Sequence, residues 1–252
     1  MPLTTQQWHA RFVEQSAWTA PLRAFLFTQA HLESARHILE VGCGTGAITL
    51  DLSQSTNAEI TGVDILCDRV RFAEKVDAAI GYSCADALSL PFEQDHFDIS
   101  FCHYFFLWMK DQAQKALDEM VRVTRHGGMV IALAEPDYAT RIDYPVELIT
   151  LGKLQTQALE RQGALTDMGV HLPELFSKAG LSNIQFGLTG FQNEVHEIPA
   201  WFDSEWETLT NDLHDEMADE ELARLKELDR HSWEEGSRVL HIPTFYAIGE
   251  VK

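Results

Sequence analysis

The chain has 252 residues, 45% of them hydrophobic and 23% charged, an ordinary balance for a globular α/β domain with additions. Its formal net charge of −20 repels nucleic acid and anionic membrane surfaces, so neither is expected as a partner. No apolar run reaches about 20 residues, so no membrane insertion is expected, and the polar start lacks the form of a secretory signal, leaving a cytoplasmic location as the default.

In chain order, Trp8, Phe12, Trp18, Leu22, Phe25, Leu26 and Ala30 recur every three or four residues, which predicts helices over residues 4–35, divided at Pro21. The apolar run His37 to Val41 reads as a buried strand. It stops in Gly42-Cys43-Gly44-Thr45-Gly46, and a helix follows from Ala47 to about Ser53. A second strand, Glu59 to Asp64, ends in an acid. Asp68 is expected to cap the next helix, which runs through Val76. Ile80 to Ala85 and Phe97 to His103 are further strands, the first followed by Asp86. Gln112 to Thr124 is amphipathic, with His126-Gly127-Gly128 expected as its cap. Met129 to Ala134 is a strand ending in Glu135-Pro136-Asp137-Tyr138.

The second half is less regular. Val146 to Gln162 and Leu172 to Lys178 read as helices, Ser182 to Thr189 and Pro243 to Val251 as strands. Between those strands, Asp203 to Glu235 carries thirteen Asp/Glu against three Lys/Arg, so −10 of the total −20 lies there. Trp201, Trp206 and Trp233 contribute to an apolar face on this segment, which is expected to close over an aromatic or otherwise apolar ligand. The four cysteines, Cys43, Cys67, Cys84 and Cys102, form no C-x-x-C and are expected as reduced thiols, with no structural metal site.

Strands and helices alternating in this way predict an α/β fold: a doubly wound, largely parallel sheet whose final strands form an antiparallel pair. The expected organisation is an N-terminal helical lid over 1–35, a core over 36–193 and 239–252, and an acidic helical insert over 194–238. Ligands of such sheets bind at the carboxyl ends of the strands. The residues to watch are therefore Gly42 to Gly46, Asp64, Asp86, His103 and Glu135.

Gly42-x-Gly44-x-x-Ala47, with Asp64 further on, also satisfies a dinucleotide fingerprint, so an NAD-dependent oxidoreductase is a rival reading. Three features favour a different ligand: Gly46 gives G-x-G-x-G, Glu40 precedes the turn, and Asp86 ends the third strand. Asp64 can accept both ribose hydroxyls. Asp86 can accept the adenine amine while the Ala87 N–H donates to the ring. Acids on every side suit a cationic, phosphate-free adenosine and would repel a pyrophosphate.

Ile38 to Gly46, Gly62-Val63-Asp64, Ala85-Asp86-Ala87-x-x-Leu90-Pro91-Phe92, Phe97-Asp98-Ile99 and Arg122-Val123-x-x-x-Gly127-Gly128 stand in a telling order. Together they resemble class I S-adenosylmethionine-dependent methyltransferases, in particular the ubiquinone/menaquinone-biosynthesis group, over about residues 36–136. The resemblance implies a Rossmann-like seven-stranded sheet with the last strand antiparallel, and S-adenosyl-L-methionine as cofactor. It implies ribose binding by Asp64 and adenine contacts by Ile65, Asp86 and Ala87. The methionine end would meet the turn of Gly42, Cys43, Gly44 and Gly46 and the strand end at His103. Glu40 would orient the glycine turn and the cofactor's amino group.

The implied reaction is an in-line SN2 transfer to a small-molecule acceptor by a monomer or homodimer, for which the protein mainly supplies alignment and a dry cavity. His103 is the candidate catalytic base, where the acceptor must lose a proton. Tyr104, Phe105, Phe106 and Trp108 are candidate acceptor walls or plain core. Glu135, Asp137, Tyr138 and Tyr144 lie on the acceptor side. His171 and His241 read as structural. A non-catalytic S-adenosylmethionine-binding or partner protein is the second rival.

Overall fold

The computed structural model describes residues 3–189 and 196–252. The expected junction of core and insert at 193/194 falls outside the described residues.

Two helices open the chain, α1 (Thr5–Trp18) and α2 (Ala20–Gln29). Thr4 and Gln7 cap α1 reciprocally: the Gln7 N–H donates to Thr4 Oγ1 at 3.3 Å and the Thr4 N–H to Gln7 Oε1 at 2.9 Å. Pro21 sits in the first turn of α2, where its missing N–H costs nothing. Strands β1 (His37–Val41), β2 (Glu59–Asp64), β3 (Gly81–Cys84) and β4 (Phe97–Cys102) alternate with α3 (Ala47–Ser53) and α4 (Cys67–Val76). Helix α5 (Ala113–Val123) leads into β5 (Thr124–Pro136). After β6 (Ile142–Tyr144), α6 (Ile149–Gln162), α7 (Leu172–Lys178) and β7 (Ser182–Thr189) come α8 (Phe202–Leu213) and α9 (Asp219–Glu234), then β8 (Val239–His241) and β9 (Thr244–Glu250).

Seven strands form one sheet in the order β3-β2-β1-β4-β5-β9-β7. The pairs from β3 to β5 are parallel, and β9 lies antiparallel between β5 and β7. This is the doubly wound, Rossmann-like sheet with an antiparallel last strand expected from the sequence. Alternation along β1 divides its side chains between two cores. Leu39 and Val41 join Leu117, Met120 and Phe176 beneath α5 and α7, while Ile38 packs with Leu26, Phe27 and Leu52 beneath α2 and α3. Glu40 belongs to the second face, which is why it meets α3.

The structure departs from the sequence reading in four places. Leu66, not Asp68, precedes α4 as its cap, and its N–H is held by Asp64 Oδ1 at 2.8 Å. His126-Gly127-Gly128 does not close α5. It bulges inside β5, where the Gly127 N–H donates to the Val251 carbonyl and the Val251 N–H to the Gly128 carbonyl, both at 2.9 Å. Pairing with the end of β9 thus replaces a helix cap. Cys67 and Cys84 form a disulfide across a Cα separation of 5.0 Å, correcting the expectation of four free thiols, while Cys43 and Cys102 are free and buried. The β2–β3 register sets Asp64 opposite Cys84, so the first turn of α4 folds Cys67 back over the neighbouring strand.

The fourth departure concerns the acidic segment. α8 and α9 bury Phe202, Trp206, Leu209, Leu225 and Trp233 against Leu148, Leu151 and Ala158 of the α6 region, forming a third core of their own. The Trp206 indole donates to Asp229 Oδ2 at 2.8 Å, and Trp201 packs edge-on to Trp233 and Trp18 at ring separations of 6.0 and 5.6 Å. These tryptophans hold the helical unit together and do not form its ligand-facing side. An unforeseen ribbon of β6 and β8 closes the unit. No described helix is long and apolar enough to cross a membrane.

Candidate active site

The glycine turn takes its shape from three left-handed residues, Gly42 (φ +76°), Gly44 (φ +53°) and Gly46 (φ +79°). The Gly42 and Cys43 N–H groups both donate to the Val63 carbonyl, at 2.8 and 2.9 Å, bending the chain over β2. Asp64 completes the bend: its Oδ2 accepts the Gly44 N–H at 2.8 Å while its Oδ1 holds Leu66. One carboxylate therefore fixes the turn after β1 and the turn after β2 together. A Cβ on Gly42 would stand 2.6 Å from the Phe105 ring, and one on Gly44 would stand 3.3 Å from Phe12.

Glu40 is buried beneath this turn and accepts the Thr49 hydroxyl of α3. Burial pushes its carboxyl up to about 8, against the pull of the Thr49 hydrogen bond and the positive charge of Arg23. At neutral pH its protonated form predominates.

Strand β4 delivers His103 and a turn of aromatic residues. Tyr104 is held at φ +50°, a conformation costing a non-glycine residue about 1–2 kcal/mol. Its N–H donates to the Ala134 carbonyl at 2.9 Å, and its ring stacks on His103 at 4.1 Å. The next three N–H groups converge on Glu135 at the end of β5: Phe105 and Phe106 donate to Oε1 at 2.9 Å each, and Leu107 to Oε2 at 3.1 Å. Burial raises the Glu135 carboxyl to about 7 even against those three donors. His103 Nε2 lies 3.0 Å from the Thr19 hydroxyl of the N-terminal segment. Burial, helped by Arg23, pushes its imidazole down to about 3, so it is neutral at physiological pH and binds a proton weakly.

One cavity of about 690 Å³ runs past these groups. Glu40, Gly42, Cys43, Gly44, Asp64, Ile65, Asp86, Ala87 and His103 all contribute to its wall, so the structure gathers nearly every residue singled out in the sequence. Gly46 is the exception. It caps α3, with the Tyr82 hydroxyl packed where its Cβ would stand, and acts on the site only through the shape of the turn. Of the aromatic run, Tyr104, Phe105 and Trp108 face the cavity, whereas Phe106 is buried in the core. Of the residues at and just beyond the end of β5, Tyr138 reaches the cavity. Glu135 supports the aromatic turn, Asp137 is buried with its N–H on the Pro243 carbonyl, and Tyr144 is exposed on the β6 ribbon. A second hollow, bounded by His31, Asp98, Arg125 and Glu250, includes none of these residues.

The remaining walls come from elements the motifs did not implicate. Trp8, Arg11, Phe12 and Gln15 of α1 cover the glycine turn, and His9 Nδ1 lies 2.9 Å from the Thr45 hydroxyl. Arg69 of α4 lies over the rings of Phe12 and Trp8 at 5.2 and 5.8 Å. Gln155, Leu159 and Gln162 of α6, with Thr208 and Asp212 of α8, close the far end. Thr208 and Asp212 stand four residues apart, on one face of α8. That spacing was visible in the sequence; its partner across the cavity was not. Arg11 is buried, ion-paired with Glu205 of α8, and lies over the Trp18 ring at 4.9 Å.

The arrangement suits a phosphate-free adenosine ligand: bare backbone at Gly42 and Gly44, a carboxylate beside each of two adjoining turns, and aromatic rings closing the space. Residues 39–132 match the methyltransferase domain family. The chain carries this domain and is an S-adenosylmethionine-dependent methyltransferase. It is similar to the O-methyltransferase resE of Aspergillus sclerotiorum, 24% identical over 231 residues that span 88% of this chain and 84% of that protein. It is also similar to the demethylmenaquinone methyltransferase of Lactiplantibacillus plantarum, 26% identical over 63% of this chain and 75% of that one. Among solved structures, phosphoethanolamine N-methyltransferase 2 of Haemonchus contortus in complex with S-adenosyl-L-methionine superimposes with a TM-score of 0.58 at 15% identity, covering 92% of this chain and 52% of that one.

Proposed function

We propose that the cavity holds S-adenosylmethionine on its glycine-turn side and a small-molecule acceptor on the side built by the aromatic turn, α6 and α8. The observation that carries this reading is the continuity of one cavity from Gly44, Asp64 and Asp86 to Tyr138, Gln162 and Asp212. The cofactor supplies an activated sulfonium methyl group, so the residues need only bind, orient and exclude water. Asp64 takes the ribose hydroxyls, exchanging its hold on the Gly44 N–H for the ligand. Ile65, Asp86 and Ala87 frame the adenine. Gly42, Cys43 and Gly44 leave room for the ribose and methionine chain, with Gly46 setting the turn. Glu40 meets the amino group, whose positive charge favours its ionised form.

For His103 we propose a wall and positioning role at the methionine end. The catalytic-base reading has weak support, because a group whose conjugate acid ionises near 3 cannot retain an acceptor's proton at neutral pH. The segments 1–35 and 194–238, together with α6, are proposed to act as the lid. Support comes from Gln7, which donates to Glu207 at 2.9 Å, and from the Arg11–Glu205 pair, both joining α1 to α8.

The direct test is calorimetry with S-adenosylhomocysteine and with NADH, followed by a screen of acceptor classes with methyl-labelled donor. S-adenosylhomocysteine should bind and NADH should not. Cofactor binding without transfer to any class would favour the partner-protein reading. We further propose a monomer or homodimer and a cytoplasmic location. The Cys67–Cys84 bridge, a type of bond rare in reducing compartments, opposes that location, and cell fractionation tests it.

A further inference from the structure

The far end of the cavity has a chemical character of its own. Its polar groups are the phenols of Tyr104 and Tyr138, the amides of Gln155 and Gln162, the Thr208 hydroxyl and the Asp212 carboxylate. Gln155 is already committed: its Nε2 donates to Glu205 at 2.9 Å, and its Oε1 accepts from Arg141. Thr208 is committed as well, its hydroxyl donating to the Ser204 carbonyl at 3.0 Å. The Tyr104 and Tyr138 hydroxyls have no hydrogen-bond partner among the described residues, although both rings wall the cavity.

Asp212 has no ion-pair partner among the described residues. Its neighbours are the neutral amides of Asn211, at 3.3 Å, and of Gln162, with the exposed His214 ring, which lies 3.4 Å from Asp215, acting on it more weakly, and burial raises its carboxyl above the ordinary value. It lies near enough to Tyr138 to influence that phenol. Two cations act on Tyr138, Arg141 and Arg11, and both are already committed: Arg141 is paired with Asp143 and donates to Gln155, and Arg11 is paired with Glu205 and shares Ser204 with Glu14. Arg69, the other cation of the wall, lies over the rings of Trp8 and Phe12 and feels the charge of Asp64 on the cofactor side. The far end is therefore a half-closed space with one carboxylate that makes no ion pair among the described residues and the electron-rich faces of Tyr104, Tyr138 and Trp108. Trp108 is 45% exposed and stands at the rim.

A partly desolvated carboxylate without a counter-ion is costly, and a ligand that supplies the missing positive charge recovers that cost. Aromatic faces attract the same cation through their quadrupoles. An anionic acceptor would meet Asp212 with nothing to offset the repulsion. A neutral alcohol would gain a hydrogen bond but leave the charge unpaired.

We propose that the methyl acceptor is a small organic amine bound in its cationic form, anchored by Asp212 among the rings of Tyr104, Tyr138 and Trp108. The proposal deepens the methyltransferase reading and rests on its placing of the acceptor at this end. It concerns recognition only and leaves open which atom of the amine-bearing molecule is methylated.

The test uses the full chain with saturating S-adenosylhomocysteine and three probes of one shape: 2-phenylethylamine, 2-phenylethanol and 3-phenylpropanoate, titrated calorimetrically. The amine is expected to bind at least tenfold more tightly than either other probe. Asp212→Asn is expected to weaken amine binding at least tenfold while S-adenosylhomocysteine affinity stays within twofold, which also certifies the fold of the variant. Equal or tighter binding of the alcohol or the acid, binding of none of the three, or an unchanged amine affinity in Asp212→Asn overturns the proposal. The wild-type ranking decides by itself should the variant be unstable. Failure of S-adenosylhomocysteine to bind the wild type overturns the underlying placement as well, and so is distinguishable from failure of the amine alone.

Discussion

The carboxylate of Glu135 accepts the backbone N–H of Phe105 at 2.9 Å, and the Phe105 ring in turn packs against the bare Cα of Gly42. The end of β5 thereby sets the distance between the aromatic turn and the glycine turn. Glu135→Gln keeps one acceptor oxygen but turns an NH2 group toward a backbone donor, at a cost of about 1–3 kcal/mol. Turnover is expected to fall about tenfold, because each 1.4 kcal/mol lost from alignment is a factor of ten. Calorimetry should find S-adenosylhomocysteine affinity reduced by no more than about threefold. A variant with wild-type turnover would remove Glu135 from the positioning of the site.

Glu40 and Glu135 make stability depend on pH in an unusual direction. Their folded-state values, about 8 and about 7, lie above the ordinary carboxyl value of 4.5. The native chain therefore holds protons that the unfolded chain has released, and the stability from these groups is complete below about 4.5 and lost as pH rises through 7 and 8. Each contributes a slope of up to about 1.4 kcal/mol per pH unit within its window. Urea unfolding at pH 5, 6, 7 and 8 should show stability falling with pH, and Glu40→Gln should flatten the upper part of that curve. Ligand binding should follow the opposite trend: a cationic amino group beside Glu40 favours its ionised form, so S-adenosylhomocysteine affinity should rise from pH 6 to pH 8 in the wild type and not in Glu40→Gln.

Arg11 and Glu205 join α1 to α8, at side-chain exposures of 7% and 13%. Removing one member of such a pair leaves the other buried and uncompensated, a loss of about 3–5 kcal/mol. Arg11→Met and Glu205→Gln are each expected to destabilise the chain by amounts of that order. The double variant should lose less than the sum. Thermal unfolding of the full cycle measures the coupling, and additive losses would show that the pair does not act as a latch.

Cys67 and Cys84 tie the turn that carries Asp64 and Ile65 to the strand end that precedes Asp86. A disulfide closing a loop with a sequence separation of 17 is expected to contribute about 3 kcal/mol to stability. Dithiothreitol should lower the unfolding temperature by several degrees, and Cys67→Ser should reproduce the loss and abolish the response to reductant. Thiol titration of the untreated protein checks the premise: two reactive thiols in denaturant confirm the bridge, and four refute it.

Asp64 and Asp86 are expected to differ in what they do before ligand arrives. Asp64→Asn loses a charged acceptor for the Gly44 and Leu66 N–H groups and should cost both stability and affinity, with about 1.5–3 kcal/mol lost from binding. Asp86 caps only its own turn, through the Leu88 N–H at 2.9 Å. Asp86→Ala should therefore weaken S-adenosylhomocysteine about tenfold with little change in unfolding temperature. Calorimetry and thermal scans on both variants distinguish the two roles.

The sequence alone determined what is local. A strand run ending in alternate glycines needs no tertiary information to be read as a bare turn, because only glycine tolerates successive left-handed positions. Acids at the ends of two further strands follow once the strands are placed, since parallel strands put all their carboxyl ends on one side. Those two facts pointed to a cationic, phosphate-free adenosine, and the resemblance carried by the full motif set named the cofactor. The tertiary structure decided everything that depends on residues meeting from far apart. Arg11 and Glu205 are 194 positions apart, and nothing near either one announces the other. Cys67 met Cys84 because of a strand register that cysteine spacing does not encode. Trp206 and Trp233 look like a ligand-facing stripe in the sequence, yet the presence of α6 made them a core. With that face turned inward, Thr208 and Asp212 became the side of α8 that lines the cavity. Period and composition show that a helix has an apolar side; only packing decides whether that side covers another helix or a substrate.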